Sequence, residues 1–491
     1  MKSLIKKYKS FPLSIRASFW FLICAFLQKG VSFITTPIFT RIMSTAEYGQ
    51  YSVFNSWYSI VAVFVSLNLY FGVYAQGLVK FESERVEFIS SLQGLTTTLV
   101  LAWTGIYLLF REFWNGIFTL TTPQMLAMLV MIWTTAVFNF WSMEQRVELK
   151  YRALVIVTII VSLLKPVLGI YLVLHSDDKV TARIMGLMAV ELVAYSWMYF
   201  VQMKNGKKFF NEKFWKYALV FNIPLIPHYL SSSILNSADR IMIGRMVDSG
   251  SAGIYNLAYN VSQIMTMFNM ALIQTTEPWL YKTIKGKKFD RISYVAYPAF
   301  IGIAFVNIVL IILAPEVVAV FAPSSYYDAI WIIPPVAMSV FFMFTYNFFA
   351  VFEFYYEKTK FIAAATVAGA IMNIVLNYIC INIWGYIAAG YTTLFCYALY
   401  AIAHYVFMKK ICRDYLENVE VYNTRKVLLI TISFLCIGFC CLASYRFTVL
   451  RYFVVLTAIG VIGLFRTRLL LYFNKLVQIR KEGKLAMEDD E

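Results

Sequence analysis

The sequence predicts an all-α polytopic membrane protein, with two six-helix bundles related by a parallel repeat and two further helices at the C-terminus. Hydrophobic residues make up 60% of the 491 residues and charged residues only 14%, whereas soluble domains carry roughly 25% charged residues. Apolar segments of membrane-spanning length recur along the chain, and one short sequence occurs twice. Together these observations predict about 14 transmembrane helices.

The apolar segments define the individual helices. A spanning helix needs about 20 mainly apolar residues. A helix satisfies its own backbone groups in lipid, whereas the strands of a barrel would be shorter and alternating. The basic N-terminus leads into an apolar run without a small-residue cleavage site, so the first segment is predicted to be a retained helix rather than a signal peptide. The predicted helices are 15–41, 48–76, 87–110, 123–143, 153–174, 183–203, 217–244, 253–281, 292–322, 327–354, 361–383, 386–408, 427–444 and 452–471.

The charges in the loops predict the orientation. Of the 43 Lys and Arg residues, 33 fall on the side that holds the N-terminus and 7 on the opposite side. Because Lys and Arg are concentrated in cytoplasmic loops, both termini are predicted to be cytoplasmic. The net charge of +16 therefore indicates loops that face an anionic leaflet, and no nucleic-acid partner is expected.

A repeated sequence relates the two halves. Arg41–Tyr51 reads RIMSTAEYGQY, and Arg245–Tyr255, 204 residues later, reads RMVDSGSAGIY. Each copy ends one apolar segment and begins the next, and six predicted helices separate the copies. Since six is an even number, both copies face the same, outer side and the halves are parallel repeats.

Matched residues of the repeat suit the start of a helix. Gly49 and Gly253 correspond, and a tight turn or a close approach is expected there. Ser44 and Asp248 also correspond, and each can cap the helix that follows it. A role in gating or ligand binding is the alternative to capping. The predicted domains are an N-terminal lobe (1–203), a cytoplasmic linker (204–216), a C-terminal lobe (217–410), a second linker (411–426), two extra helices (427–472) and a cytoplasmic tail (473–491).

Polar side chains follow one face of the first helix in each half. Residues three and four apart share a helix face, so matching stripes are expected to line a cavity between the lobes. Interhelical hydrogen bonding is the alternative. Pro224 and Pro227 precede the second stripe and predict a kinked or broken helix. The two stripes consist of Gln28, Ser32 and Thr35, and of Ser232, Asn236 and Asp239.

Ionisable side chains inside the predicted spans supply the candidate site. A charge in hydrocarbon costs at least about 2.5–3.5 kcal/mol on insertion scales, so each needs a partner or water. Lys165 and Glu191 lie on adjacent helices and are expected to pair. Structural pairing is the alternative to a transport role. Positive charge prevails slightly, which suits an anionic headgroup, and arginine favours phosphate. The candidate substrate-binding residues are Lys29, Arg41, Lys165, Asn236, Arg240 and Arg245, and the candidates for ion coupling or gating are His228, Asp239, Glu191 and Glu277.

The motifs of several other classes are absent from the sequence. There is no phosphate-binding loop of an ATPase, no zinc-protease motif and no potassium-channel filter. The seven cysteines do not have the spacing of a zinc site or a disulfide framework. A secondary transporter that is not an enzyme, with no cofactor and no metal, is therefore the simplest class.

The two hairpins carry a resemblance to a known family. Residues Lys29–Trp57 and Asn236–Val261 resemble the Wzx-type flippases of O-antigen and exopolysaccharide repeat units, in the multidrug/oligosaccharidyl-lipid/polysaccharide exporter superfamily. The resemblance covers Met1–Lys410. The two helices after Lys426 resemble those of the 14-helix members, which include the lipid II flippases.

The resemblance implies a function. It implies that undecaprenyl-diphosphate-linked oligosaccharides move from the cytoplasmic to the outer leaflet of the bacterial inner membrane, by alternating access through a central cationic cavity. It also implies that the first, second, seventh and eighth helices face this cavity, and that a polysaccharide polymerase and a chain-length regulator are partners. The alternatives are a lipid II-type flippase, a drug or cation antiporter, which would favour an acidic cavity, and a glycosyltransferase or polymerase, which would need a large outer loop.

Overall fold

A computed structural model describes residues 12–449, 451–453 and 456. These residues form helices, turns and loops, and no strand occurs among them. Eleven of the described helices are long and apolar enough to cross a membrane, and they coincide with eleven of the predicted segments. The all-α polytopic fold is therefore confirmed. The predicted helix 452–471, apart from three of its positions, and the predicted tail 473–491 lie outside the described residues.

The chain divides into two compact units, which are described separately. The first consists of Met1–Asn256 with Phe321–Ser325, and the second of Leu257–Val320 with Tyr326–Glu491. This division follows contacts within the fold, whereas the predicted lobes follow a repeat in the sequence. The lobe boundaries stay a prediction.

The helices of the first unit are α1 (Leu13–Ile42), α2 (Thr45–Ser66), α3 (Val73–Lys80), α4 (Arg85–Leu109), α5 (Arg111–Phe118), α6 (Thr122–Val147), α7 (Tyr151–Leu174), α8 (Lys179–Gly206), α9 (Glu212–Asn222) and α10 (Ile226–Met246). Helix α11 (Ser249–Ser262) begins in the first unit and ends in the second. The helices of the second unit are α12 (Ile264–Lys285), α13 (Asp290–Ile312), α14 (Ala314–Phe321, whose last residue belongs to the first unit), α15 (Ile333–Tyr355), α16 (Thr359–Trp384), α17 (Ala388–Tyr415) and α18 (Thr424–Ala443).

Three segments predicted as continuous helices are interrupted, and one of them, 292–322, is divided between α13 and α14 at Leu313. In segment 48–76, α2 ends at Ser66, and Leu67 and Asn68 adopt left-handed conformations with φ of 50° and 52°. Segment 253–281 is divided between α11 and α12 at Gln263. The prediction of unbroken helices was wrong here because hydropathy responds to side-chain polarity and not to backbone conformation.

The predicted break at the two prolines is confirmed. Helix α9 ends at Asn222, a short 3₁₀ turn covers Ile223–Leu225, and α10 begins at Ile226. Proline lacks the backbone donor that a continuous α-helix requires. The buried Asn222 side chain donates a hydrogen bond from Nδ2 to the carbonyl oxygen of Leu67 at 2.7 Å, so the break in α9–α10 contacts the interruption after α2.

Helices α6, α7 and α8 form a compact group that positions the candidate site. Val137 and Trp141 of α6 pack in one buried cluster with Val161 of α7 and Tyr195 of α8. A Cβ atom on Gly186 would lie 3.1 Å from the Cα of Gly169 on α7, which shows how closely α7 and α8 approach. Close packing of small residues is a common basis of helix association in membranes.

Candidate functional site

A cavity of about 370 Å³ lies among five helices of the first unit. Its wall combines hydroxyl and amide groups with aromatic rings and three charged side chains, and such walls are typical of ligand sites. The lining residues are Gln28, Val31, Ser32, Thr35, Phe39, Tyr51, Thr135, Phe138, Asn139, Thr158, Val161, Ser162, Lys165, Pro166, Arg183, Leu187, Glu191 and Tyr195.

The polar stripe of α1 faces this cavity. Gln28, Ser32 and Thr35 recur on one helix face, and all three line the wall. The stripe therefore lines a cavity of the first unit. The cavity lies within the first unit, and the cavity expected between the lobes stays a prediction.

A buried ion pair lies on the opposite wall. The Lys165 ammonium of α7 is 2.6 Å from Glu191 Oε1 of α8, so the predicted pairing of these two residues is confirmed. Thr134 of α6 donates a hydrogen bond to Glu191 Oε2 at 3.0 Å. Glu191 is buried, while 28% of the Lys165 side chain is exposed. The pair thus fixes the carboxylate, and part of the Lys165 side chain stays exposed in the cavity wall.

Arg183 is a second cation in the wall, and it was not among the predicted site residues. Its guanidinium carbon lies 3.6 Å from the ring centroids of both Phe39 and Tyr51. The guanidinium is therefore held in a cation–π contact with two rings. The sequence counts Arg183 among the seven cations of the outer side, at the first residue of the predicted helix 183–203, whereas α8 begins at Lys179. No motif in the sequence links Arg183 to Phe39 or Tyr51, which lie on other helices.

The cavity has more positive than negative groups. Lys165 and Arg183 are cations, and Glu191 is the one acidic side chain among the lining residues of the described cavity. Side-chain amides and hydroxyls fill much of the remaining wall. Such a wall can bind an anionic ligand through charge-assisted hydrogen bonds and can hydrogen-bond a hydroxyl-rich group beside it.

Three predicted cations lie away from this cavity. Lys29 is exposed on α1. Arg41, also exposed, donates from Nη1 to the carbonyl oxygen of Pro37 at 2.8 Å. Arg245 is exposed at the end of α10, with its guanidinium carbon 5.4 Å from the ring centroid of Trp57. The structure does not bring these three together with Lys165.

The second polar stripe takes part in helix packing. Asp239 is buried and accepts a hydrogen bond from the Tyr255 hydroxyl at 2.6 Å. Arg240 donates from Nη2 to the carbonyl oxygen of Asn236 at 2.8 Å and from Nε to Ser56 Oγ of α2 at 3.3 Å. Interhelical hydrogen bonding, which was the alternative to a cavity-lining role, is thus present at this stripe. Roles for Asn236, Asp239 and Arg240 in transport stay predictions.

The last two predicted residues occupy separate places. His228 lies in the first turn of α10, with its ring centroid 5.9 Å from that of Tyr229. Glu277 belongs to the second unit and accepts a hydrogen bond from the Tyr281 hydroxyl at 3.4 Å. Their coupling or gating roles stay predictions.

The two copies of the repeat meet within the first unit. A Cβ on Gly49 would lie 1.7 Å from the carbonyl oxygen of Ser249, and a Cβ on Gly253 would lie 2.2 Å from that of Thr45. The start of α2 and the start of α11 therefore cross with their backbones in contact. The predicted close approach at these glycines is confirmed, and only glycine permits it.

The caps of α2 and α11 also correspond. Ser44 and Glu47 form a capping box, in which Glu47 N donates to Ser44 Oγ at 3.2 Å and Ser44 N to Glu47 Oε2 at 2.7 Å. At the matched position, Asp248 accepts from Ser251 N and from Ser251 Oγ, both at 2.8 Å. Capping of both helices is confirmed.

The first part of the chain matches a family model. The model, described as "Polysaccharide biosynthesis protein", covers residues 14–284, which is more than half of the chain. The chain belongs to the polysaccharide biosynthesis protein family. The matched residues contain the whole cavity wall and both copies of the repeat. A similar protein is Lsg locus putative protein 1 of Haemophilus influenzae, which is 24% identical over 212 residues, or 41% of this chain. The match spans 52% of that relative's length.

Solved transporter structures share the fold of this polysaccharide biosynthesis family member. An inward-facing multidrug resistance MATE family transporter of the MOP superfamily is 12% identical, with a TM-score of 0.60 over 78% of this chain and 95% of that chain. A MOP superfamily transporter from Pyrococcus furiosus is 13% identical, with a TM-score of 0.55 over 81% of this chain and 95% of that chain. A mutant MATE transporter from Vibrio cholerae is 10% identical, with a TM-score of 0.54 over 86% of this chain and the whole of that chain, 100%.

The family model bears out the polysaccharide part of the resemblance, and the solved transporters share the fold that it implies. At these identities the solved structures show the fold alone. The family and the eleven candidate spans make the chain a multi-pass membrane protein of a transporter fold.

Proposed function

We propose that this protein flips undecaprenyl-diphosphate-linked oligosaccharide repeat units from the cytoplasmic to the outer leaflet of the bacterial inner membrane, by alternating access. The observation that carries the proposal is the cavity of the first unit, where Lys165 and Arg183 lie among amide, hydroxyl and aromatic groups. A diphosphate-sugar headgroup has the complementary chemistry. The membership of a polysaccharide biosynthesis family and the transporter fold support the same substrate class.

Each part of the headgroup has matching groups in the cavity. Phosphate oxygens accept hydrogen bonds from an ammonium and a guanidinium more strongly than from neutral donors. Sugar hydroxyls donate to and accept from side chains such as Gln28, Ser32 and Asn139, which line the same wall. The polyprenyl tail stays in the bilayer, since moving it out of lipid would expose apolar surface to water.

The remaining predicted contributions belong to this proposal. Lys29, Arg41, Asn236, Arg240 and Arg245 are proposed to contact the substrate elsewhere on its path. His228, Asp239, Glu191 and Glu277 are proposed to act in ion coupling or gating, and Glu191 also orients Lys165 through their ion pair. A polysaccharide polymerase and a chain-length regulator are the proposed partners, and both termini are proposed to be cytoplasmic.

Reconstitution with a fluorescent substrate tests the function. Purified protein in liposomes should move a fluorescent polyprenyl-diphosphate sugar across the bilayer faster than protein-free vesicles do. Lys165→Ala and Arg183→Ala should each slow this movement at least about tenfold, the loss expected for one charge-assisted hydrogen bond. Arg111→Ala is the matched control, because Arg111 is an exposed cation on α5 that does not line the cavity.

Other results of the same experiment would overturn the proposal. No movement above the protein-free rate, with efflux of organic cations from the same vesicles, would identify a drug or cation antiporter. Faster movement of lipid II than of other polyprenyl-diphosphate sugars would identify a lipid II-type flippase. Full activity of both the Lys165 and the Arg183 variant would exclude the cavity of the first unit as the headgroup site.

A further inference from the structure

The second unit contains a buried acid–imidazole pair that the proposed substrate site does not use. Glu353 of α15 and His404 of α17 are each 0% exposed. Glu353 Oε1 lies 2.7 Å from His404 Nδ1. Buried carboxylates and imidazoles are rare inside membrane-spanning segments and commonly mark proton or ion pathways.

Aromatic rings surround the pair. The ring centroids of Tyr346 on α15 and Tyr400 on α17 lie 5.4 Å and 4.4 Å from the imidazole centroid. From α16, the ring of Phe361 lies 5.7 Å away. The two tyrosines are the titratable groups that face the pair. Among the described residues, no charged side chain of α12, α13, α16 or α18 contacts Glu353 or His404.

One polar atom of each residue remains without a hydrogen-bond partner among the described residues. These atoms are Glu353 Oε2 and His404 Nε2, and both are buried. Each is a place where a proton can be held, on the carboxyl group or on the imidazole. The pair therefore has two atoms that can bind a proton in addition to the atoms of its hydrogen bond.

The net charge of the pair depends on its protons. With one proton between the two residues the pair is neutral overall. Loss of that proton to water leaves one negative charge in the aromatic shell, and gain of a second proton from water leaves one positive charge. Either net charge is costly in a low-dielectric shell, so a change in protonation favours a packing that admits water or a counter-ion.

We propose that Glu353 and His404 form a proton-binding site whose protonation changes with the packing of α15 against α17, and that this site couples proton movement to transport. The coupling rests on the proposed function, whereas proton binding does not. No other reactant is needed, since the proton is exchanged with water.

Proton binding is measured on purified protein without any transport assay. Infrared spectra recorded from about pH 4 to about pH 9 bracket the ordinary pKa values of Glu and His. The wild type should show a pH-dependent carboxyl C=O band that Glu353→Gln lacks and that Glu112→Gln, the control at an exposed carboxylate of α5, keeps. His404→Gln should move the midpoint of this band by about one pH unit, as expected for loss of a close charged partner.

A second measurement tests proton binding even if Glu353→Gln and His404→Gln do not fold. The chain has three histidines, so isotope-labelled imidazole signals are assigned with His175→Gln and His228→Gln, which leave the pair intact. The remaining signal should titrate within the same range. An imidazole signal that does not change with pH, or a wild-type carboxyl band identical to that of Glu353→Gln, would overturn the proton site.

Coupling is measured in liposomes that carry a pH gradient. A gradient should accelerate flipping by the wild type, and in Glu353→Gln the ratio of the rates with and without the gradient should fall to about one. If that variant keeps the wild-type ratio, coupling through Glu353 is excluded. If the wild type moves no glycolipid under any condition, the proposed function fails, and the titrations still decide whether the pair binds protons.

Discussion

Lys165 and Glu191 show which site residues the sequence can reveal. Charges inside apolar segments are so costly that a partner is almost obligatory, and these two residues lie on consecutive helices. Their pairing was therefore predictable. Arg183 was not, because a cation near a helix end looks like a loop residue until the rings of Phe39 and Tyr51 are in place around it.

Breaking the Lys165–Glu191 pair should destabilise the fold. Lys165→Met leaves Glu191 buried without its cation, and removal of one partner of a buried pair costs about 3 kcal/mol. Adding Glu191→Gln should restore more than half of that loss, since the unpaired charge is then gone. The measurement is the free energy of unfolding in mixed micelles with increasing denaturing detergent. Purely additive effects of the two substitutions would show that the residues do not interact.

Asp248 gives a pH-dependent test of helix capping. The backbone N–H of Ser251 lowers the pKa of Asp248, so the folded pKa lies below the unfolded value. The stabilisation is therefore fully present above the unfolded pKa of about 3.9 and is lost as the pH falls through the folded pKa. Asp248→Ala should cost about 1 kcal/mol at neutral pH, and less in acid.

The control for this prediction is a cap without a titratable group. Asn423 accepts a hydrogen bond from Lys426 N at the start of α18, and Asn423→Ala should cost a similar amount at every pH. Thermal unfolding of both variants at neutral and acidic pH measures the difference. A loss in Asp248→Ala that does not change with pH would contradict the assignment.

At the level of helices, the sequence predicted where the helices lie better than it predicted where they are interrupted. The proline break before α10 was predictable because proline removes a backbone donor. The interruption after α2 was not, since Leu67 is apolar and nothing in its side chain indicates a left-handed backbone. The second polar stripe was ambiguous, because serine and asparagine suit a cavity wall and a helix interface equally well.

The crossing of α2 and α11 depends on two glycines. Gly49→Ala and Gly253→Ala should each lower the thermal unfolding temperature, because the new Cβ would overlap a backbone carbonyl oxygen that cannot move away by side-chain rotation. Gly105→Ala is the matched control, since nothing lies within 4 Å of its Cβ position. That substitution should be neutral or stabilising by roughly 0.5–1 kcal/mol. Equal unfolding temperatures for all three variants would contradict a tight crossing.

At the level of the whole molecule, the fold class was predictable because lipid restricts the choices. Backbone groups in hydrocarbon must be satisfied internally, so long apolar segments become helices. The cavity of the first unit was not predictable as a whole, since its wall takes side chains from five helices. The repeat gives information only on the first two helices of each half, and the cavity wall includes three further helices.

Membrane topology provides a test at this scale. In a variant without the natural cysteines, Lys287→Cys, in the loop after α12, should react with a membrane-impermeant maleimide only from the cytoplasmic side. Asp177→Cys, in the loop before α8, should react only from the outer side. These outcomes follow from the concentration of Lys and Arg in cytoplasmic loops. Labelling of both cysteines from one side would contradict the predicted orientation.

The hydrogen bond from Asn222 to Leu67 joins two interruptions in the helices of the first unit. One is the left-handed stretch after α2 and the other is the proline break before α10. Separating them would leave the Nδ2 group of the buried Asn222 without this partner, at about 1–3 kcal/mol. The two interruptions are therefore tied to each other, and we expect a change in tilt at one of them to be transmitted to the other.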